Sequence, residues 1–381
     1  MTMIAHRRTL LRMGGALSLG LLGSPGAAQE NGRKIGYAIV GLGSYADVIL
    51  PRFAECRHSR LVALVSGSQE KARRYAARYG VPESGLYTYG SFDRIRDNPD
   101  VDIVYVILPN GLHHEYTLRA AAAGKHVLCE KPMANTAAEA EEMIAACRAA
   151  GRKLMIGYRS HFEANNREAM RLARSGELGA ARIVTADHGF NIGDPTQWRL
   201  NRTLAGGGSL MDIGIYSLQA ARYLTGEEPV AVSAVESTDR SDVRFREVED
   251  TINFQLTFPS GVVANCVSTY GSQHNRYRFV GASGWLDAEP ATSYEGNRLR
   301  LHREWRTVDH PAPGLELNQF SGQLDHLSQC VMSDSEPIVP GEEGLRDMRI
   351  IEAIYRSARE GRTVRLALGD GRPRPRPEPG R

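Results

Sequence analysis

Two short runs in this chain hold side chains that could move a proton. The first is Gly206-Gly207-Gly208-Ser209-Leu210-Met211-Asp212-Ile213-Gly214-Ile215-Tyr216, where three glycines lead into a helix that carries a carboxylate and a phenol four residues apart. At that spacing both side chains share one helix face. On so apolar a helix they need polar partners if they are buried. An acid in a first helical turn beside a core tyrosine is the plainer reading of the same residues. The second run is Glu130-Lys131-Pro132. Taken alone it is a common turn with a lysine on it, but it directly follows the apolar segment His126–Cys129, at the edge where open α/β folds bind ligands.

A third run, Gly41-Leu42-Gly43-Ser44-Tyr45-Ala46, has a different use. It follows the apolar stretch Ile35–Val40 and opens a helical one, the context in which Gly-x-Gly-x-x-Ala reads as a dinucleotide loop. Its glycines permit a tight turn, and the helix start offers amide donors to a pyrophosphate. An NAD enzyme carries Asp or Glu about 20 residues further on, for the ribose 2′-hydroxyl. Here that strand ends at Ser66-Gly67-Ser68, with Lys71, Arg73 and Arg74 beyond it. Hydroxyls and cations in place of a carboxylate suit a 2′-phosphate, so the predicted cofactor is NADP. A solvated helix face is the bland reading of Arg73 and Arg74.

The elements around these runs alternate. Ile35–Val40, Leu61–Val65, Val104–Leu108, His126–Cys129 and Leu154–Ile156 are continuously apolar, as strands buried on both faces are. Helical stretches fall near Asp47–Cys56, Gln69–Tyr79, His114–Ala123 and Ala137–Ala149. Further on, Thr251–Phe258 alternates apolar and polar residues, and a Pro-Ser-Gly turn leads into Val262–Tyr270 as a hairpin. More strands are predicted near Arg182–His188, Val230–Val235, Arg276–Val280 and Arg298–Leu301, with helices over Ser209–Leu224, Gln319–Met332 and Glu343–Glu360. The fold class is α/β. A Rossmann dinucleotide-binding domain spans 33–157, and an α+β domain with an open, mostly antiparallel sheet spans 158–366.

The two ends read differently. His6-Arg7-Arg8-Thr9-Leu10-Leu11-Arg12 precedes an apolar stretch, Met13–Leu22, that is too short for a bilayer span of roughly 20 residues. With small residues up to Ala28, residues 1–28 read as a twin-arginine signal for export of the folded protein to the periplasm. Residues 369–381 alternate proline with arginine and read as a disordered tail. The formal charge of +3 equals the contribution of Arg7, Arg8 and Arg12, since the first 28 residues contain no acid. The remainder is close to neutral, which argues against nucleic-acid or anionic-membrane partners. Five cysteines, odd in number and without C-x-x-C spacing, suggest no disulfide framework, and the adjacent His113-His114 pair lacks zinc-site spacing, so no metal is expected.

The glycine loop, Glu130-Lys131-Pro132 and the run ending at Tyr216 resemble the glucose–fructose oxidoreductase / inositol dehydrogenase / MocA family. So do Leu154-Met155-Ile156-Gly157-Tyr158-Arg159, Gln197-Trp198-Arg199 and Gln323-Leu324-Asp325-His326-Leu327. The likeness covers essentially the whole chain after the signal and leans toward periplasmic members. It implies that Lys131, Asp212 and Tyr216 form the catalytic group. Gly41, Gly43, Ser44, Tyr45, Ser66, Gly67, Lys71 and Tyr89 would line the adenosine and pyrophosphate side of NADP. Leu108, Asn110, His113, Glu130, Lys131, Arg159, Trp198, Arg199 and Tyr294 would line the rest.

General chemistry agrees with that assignment. A phenol of reference pKa near 10 is a poor base at neutral pH, and an adjacent ammonium favours its phenolate. Tyr216 would then take a sugar hydroxyl proton in one half-reaction and return it in the other, while Asp212 orients the sugar. The expected activity is oxidation of an aldose to its lactone and reduction of a second sugar, fructose or another aldose, by retained NADP in a ping-pong cycle. Besides sugars and the export machinery, the expected partner is another copy of the chain, as dimer or tetramer. Only six residues separate Ala28 from Ile35, so the long arm of the best-known periplasmic member is missing. Two other readings stand beside this one: a glycosidase that uses bound NAD transiently, and a non-catalytic sugar or nucleotide binder.

Overall fold

The structure is a computed structural model that describes residues 32–367. The predicted signal and tail lie outside the described residues. The first sheet contains β1 (Ile35–Val40), β2 (Ser59–Val65), β3 (Leu86–Tyr87), β4 (Ile103–Val106), β5 (His126–Cys129) and β6 (Leu154–Ile156). All pairs are parallel and the order is 3-2-1-4-5-6, the doubly wound arrangement. Five of six residues in β1 and all four in β4 are buried, because helices cover both faces. Those helices are α1 (Ser44–Ile49, continued by a tighter turn over Leu50–Ala54), α2 (Gln69–Tyr79), α3 (His113–Ala122) and α4 (Ala137–Ala149).

The second sheet contains nine strands. They are β7 (Ala181–Gly189), β8 (Ala231–Ser237), β9 (Thr251–Thr257), β10 (Val263–Thr269), β11 (His274–Gly281), β12 (Gly284–Ala288), β13 (Leu299–Arg303), β14 (Arg306–Asp309) and β15 (Val364–Arg365), in the order 14-13-12-11-7-10-9-8-15. The sheet is open and antiparallel except where β10 runs parallel to β7. In β9 the residues alternate, with Ile252, Phe254 and Leu256 buried. Each such side chain taken out of water contributes about 1.5–3 kcal/mol. The buried face packs on α5 (Ala164–Arg174), α7 (Ile215–Thr225) and α9 (Gly341–Glu360). Two further helices, α6 (Arg202–Ala205) and α8 (Gln319–Ser333), border the first sheet's ligand edge and its β2 side.

Three departures from the sequence reading matter. The helix expected from Ser209 begins as a π-helical turn over Leu210–Gly214 before α7. Helix α5 is present although its first residues, Ala-Asn-Asn-Arg-Glu, read as polar loop; its apolar stripe of Ala169, Met170 and Leu172 is buried. Strands β12 and β14 were not expected either, and every residue of β14 is exposed, so it carries no apolar alternation. Among the described residues no helix is long and apolar enough to cross a membrane. All five cysteines are buried free thiols.

Candidate active site

The triple-glycine loop is built by close approach. Gly206 has φ of +77°, a Cβ on Gly207 would fall 2.1 Å from the Tyr355 hydroxyl, and one on Gly208 would fall 2.0 Å from the Glu249 carbonyl oxygen. No side chain fits in either space. Glu249, almost fully buried, then caps the π-turn. Its carboxylate accepts the Gly208 and Leu210 amides at 2.8 and 2.9 Å and the Tyr355 hydroxyl at 2.8 Å. Burial still raises the Glu249 carboxyl above its ordinary range. π-turns inserted in helices concentrate at functional sites, and this one carries Asp212.

Asp212 is crowded by donors. Lys131 Nζ donates to its carbonyl oxygen at 2.5 Å and lies 3.4 Å from Oδ1. Arg199 Nε donates to Oδ2 at 2.8 Å, and the Tyr270 hydroxyl donates to the same oxygen at 3.1 Å. Burial pushes this carboxyl up, but Lys131, Arg199 and Tyr270 together outweigh it and hold it below the usual aspartate range. An acid so saturated is an anchor rather than a proton acceptor.

Tyr216 sits one turn further along, 8% exposed. Lys131 Nζ lies 5.1 Å from its ring centroid, and the Arg159 guanidinium lies at the same distance. Arg159 is 5% exposed and donates to Gln319 Oε1 at 2.6 Å and to the Thr292 carbonyl at 2.5 Å. It also lies 4.8 Å from the Tyr294 ring centroid. The phenol is thus flanked by two cations that are fixed by other partners.

His188 of β7 lies against the same ring, with centroids 5.7 Å apart and 32° between planes. The Ser217 hydroxyl donates to the Val267 carbonyl at 3.0 Å, so its oxygen is free to accept from His188 Nδ1, 2.9 Å away. Nε2 therefore keeps its lone pair. Burial, reinforced by Arg159, pushes the His188 pKa down to about 3, and the ring is neutral throughout the physiological range.

The cofactor side can be tested against the residues present. Gly41 has φ of +102°, and a Cβ there would fall 2.9 Å from Leu108, whereas above Gly43 there is open space. Helix α1 has no side-chain cap, which leaves its first amides for a pyrophosphate. Ser44 is exposed at this start, and the Tyr45 ring faces those of Tyr294 and Phe320 at 6.3 and 6.4 Å. At the end of β2, Ser66 is buried, Gly67 lies under the Tyr89 ring and Lys71 stands in the first turn of α2. No carboxylate replaces them, so the residues fit NADP. Arg73 is drawn off to Glu83 at 3.1 Å on the surface, while Arg74 packs on Tyr75.

Three residues expected to line the cofactor have prior commitments. Both ring nitrogens of fully buried His113 meet backbone carbonyls, Leu108 and Pro132, at 2.8 Å, so this ring ties the β4 end to the Lys131–Pro132 turn. Asn110 donates to the Ala205 carbonyl at 2.9 Å, joining the first domain to the glycine loop. Glu130 accepts the Tyr105 hydroxyl at 2.5 Å and the Lys131 amide at 3.2 Å, and burial raises its carboxyl. Trp198 stacks under Arg199 at 4.7 Å, so Arg199 bridges Trp198 and Asp212.

Tyr270, Glu249 and His188 were not anticipated. Each lies on a strand or loop remote in sequence from the residue it holds, so no local pattern points to it. Among the described residues no three His, Cys, Asp or Glu side chains are grouped as metal ligands would be.

Comparison with known proteins agrees with this geometry. Residues 35–158 match the model of an oxidoreductase family with an NAD-binding Rossmann fold, and residues 166–287 match the GFO/IDH/MocA C-terminal domain. The crystal structure of aldose–aldose oxidoreductase from Caulobacter crescentus is 66% identical, covers 88% of this chain and 100% of that one, and superposes with a TM-score of 0.87. The NADP-dependent D-xylose 1-dehydrogenase of Haloarcula marismortui is 33% identical over 341 residues, 87% of this chain and 92% of that protein. A second such dehydrogenase, from Haloferax volcanii, is 31% identical over 87% of this chain and 98% of its own length. The chain belongs to the GFO/IDH/MocA family of oxidoreductases.

Proposed function

We propose that this protein is an NADP-dependent sugar oxidoreductase that oxidises an aldose to its lactone and reduces a second aldose to an alditol on the same retained cofactor. The observation that carries the reading is a buried phenol, Tyr216, flanked by Lys131 and Arg159 and one turn from a saturated Asp212. The likeness to aldose–aldose oxidoreductase favours an aldose over fructose as acceptor. Export through the twin-arginine signal to the periplasm fits a retained cofactor, since a folded protein can carry its nucleotide across. A homo-oligomer completes the proposal.

The chemistry supplied by bound NADP is reversible hydride transfer. Gly41, Gly43, Ser44, Ser66 and Lys71 would hold its phosphates and ribose. Within the chain, Tyr216 Oη takes the proton of the sugar hydroxyl, with Lys131 and Arg159 each 5.1 Å from its ring centroid. Asp212 accepts hydrogen bonds from the sugar with whatever lone-pair capacity Lys131, Arg199 and Tyr270 leave. The proton held on Tyr216 Oη then serves the reductive half-reaction.

The test is to purify the protein without added nucleotide, remove free nucleotide by gel filtration, and follow reduced-nicotinamide absorbance on adding glucose and then xylose. Reduction by glucose and reoxidation by xylose, with the nucleotide staying on the protein, is expected. Release of reduced NADP into the filtrate would instead indicate a dehydrogenase that exchanges its cofactor, as the names of the haloarchaeal relatives suggest. Aglycone release from a nitrophenyl glycoside would replace the reading with a glycosidase.

A further inference from the structure

Behind the triple-glycine loop lies a cleft of about 910 Å³ that none of Lys131, Asp212 and Tyr216 lines. Its size is that of a small-molecule site. Five arginines border it: Arg202, Arg349, Arg356, Arg359 and Arg365. Arg349 pairs with Glu141 at 2.7 Å, and Arg202 reaches the Glu247 backbone carbonyl. Among the described residues the guanidinium groups of Arg356, Arg359 and Arg365 form no ion pair or hydrogen bond.

The two acids in the cleft do not answer them. Glu139 accepts the Asn135 and Thr136 amides at 2.9 and 3.2 Å, and Glu352 accepts the Ala137 amide at 2.7 Å. Both are committed to the start of α4. Guanidinium groups bordering a concave surface suit carboxylate and phosphate oxygens, which they can bind by bidentate hydrogen bonding.

We propose that this cleft is a second ligand site, taking a small organic anion by its carboxylate or phosphate group. Its wall includes Tyr355, which donates to Glu249, the residue that caps the loop carrying Asp212. The opposite wall, with Asn135 and Thr136, belongs to the first domain. An anion seated there braces both domains and the catalytic loop from behind. Two sources share this chemistry: an aldonate, formed when the lactone of the proposed reaction hydrolyses, and a phosphate ester. Only the first source rests on the proposed function.

The test is calorimetric titration of NADP-saturated protein, at low ionic strength, with sodium gluconate in one arm and inorganic pyrophosphate in the other. Each arm is repeated on an Arg356→Ala/Arg359→Ala/Arg365→Ala variant, whose unchanged melting temperature shows that it is folded. Binding of at least one anion that weakens at least tenfold in the variant is expected. Gluconate alone identifies a product acid, pyrophosphate alone a phosphate ester, and both a general oxyanion site. Absence of binding in both arms, or equal binding to variant and parent, would overturn the proposal. Failure of the sugar-exchange test above leaves the pyrophosphate arm unaffected, so the two readings fail separately.

Discussion

Two buried charge clusters lie along the same helical segment, and they are built in opposite ways. At its start, Asp212 is a single carboxylate served by Lys131, Arg199 and the Tyr270 hydroxyl, with its own side chain 14% and that of Arg199 33% exposed. Toward its end, Arg222 is a fully buried cation met by Glu228 at 2.7 Å, Glu343 at 3.0 Å and Asp347 at 2.5 Å. Arg346 also pairs with Glu343, and Gln219 donates to Asp347 at 3.0 Å. The second cluster is sealed and closes on itself, locking α7 to α9. The first has an excess of cations, remains open on one side and has a neutral histidine, not a further charge, at its back. Burial and ion pairing alone therefore do not mark a catalytic site; residual accessibility and unbalanced charge do.

Substitutions should separate the two clusters. Arg222→Met would strand three carboxylates with one remaining arginine, and losing one partner of a buried pair is destabilising by about 3–5 kcal/mol. Urea unfolding should show that loss, while the sugar KM of the folded fraction stays at the parental value. Stability equal to the parent would show that the sealed cluster does not hold the helices together.

Tyr270→Phe removes one donor from Asp212 and leaves the two cations. One hydrogen bond to a charged group is worth about 1.5–3 kcal/mol, so kcat/KM should fall roughly tenfold, with a drop in the unfolding midpoint smaller than that of Arg222→Met. An activity change in Arg222→Met together with a stability change alone in Tyr270→Phe would invert the contrast.

The smallest effect concerns pH. In the unfolded chain His188 has an ordinary imidazole pKa, and in the fold burial lowers it to about 3. Protonation therefore favours the unfolded state, and stability is lost as pH falls from about 6.5 toward 3. At pH 5.5 this residue accounts for about 1.4 kcal/mol. His126 and His326, lowered to about 4 by burial, add to the same limb. Asp212, whose carboxyl is lowered, contributes stability that is lost only at more acid pH, below the ordinary aspartate range. Denaturant titrations between pH 7.5 and 5.5 should show a slope that His188→Gln reduces by about half a proton on average and by close to one proton at the acid end; an unchanged slope would mean that the ring is not held neutral.

The sequence displays the first sheet plainly, because strands buried on both faces are apolar throughout, as in β1 and β4. It also displays Asp212 and Tyr216 as a pair, since a carboxylate and a phenol four apart on an apolar helix require an explanation, whereas Lys131 joins them only through the family resemblance. It conceals the π-turn, because one extra residue per turn barely alters the apolar spacing from Leu210 to Tyr216. It conceals Glu249 and Tyr270, whose partners are 39 and 58 residues away, so no local pattern links them. Strand β14 is hidden for the opposite reason: a fully exposed edge strand has no buried face to impose alternation.

The central claim is that Tyr216 carries the proton in both half-reactions. It is tested most directly by rapid-mixing single turnovers of NADP-loaded Tyr216→Phe, with cofactor affinity measured in parallel by nicotinamide fluorescence. The account predicts unchanged cofactor binding and a fall of about 10² to 10⁴-fold in both the glucose-driven reduction and the aldose-driven reoxidation. Rates within a few-fold of the parent in either direction would contradict it.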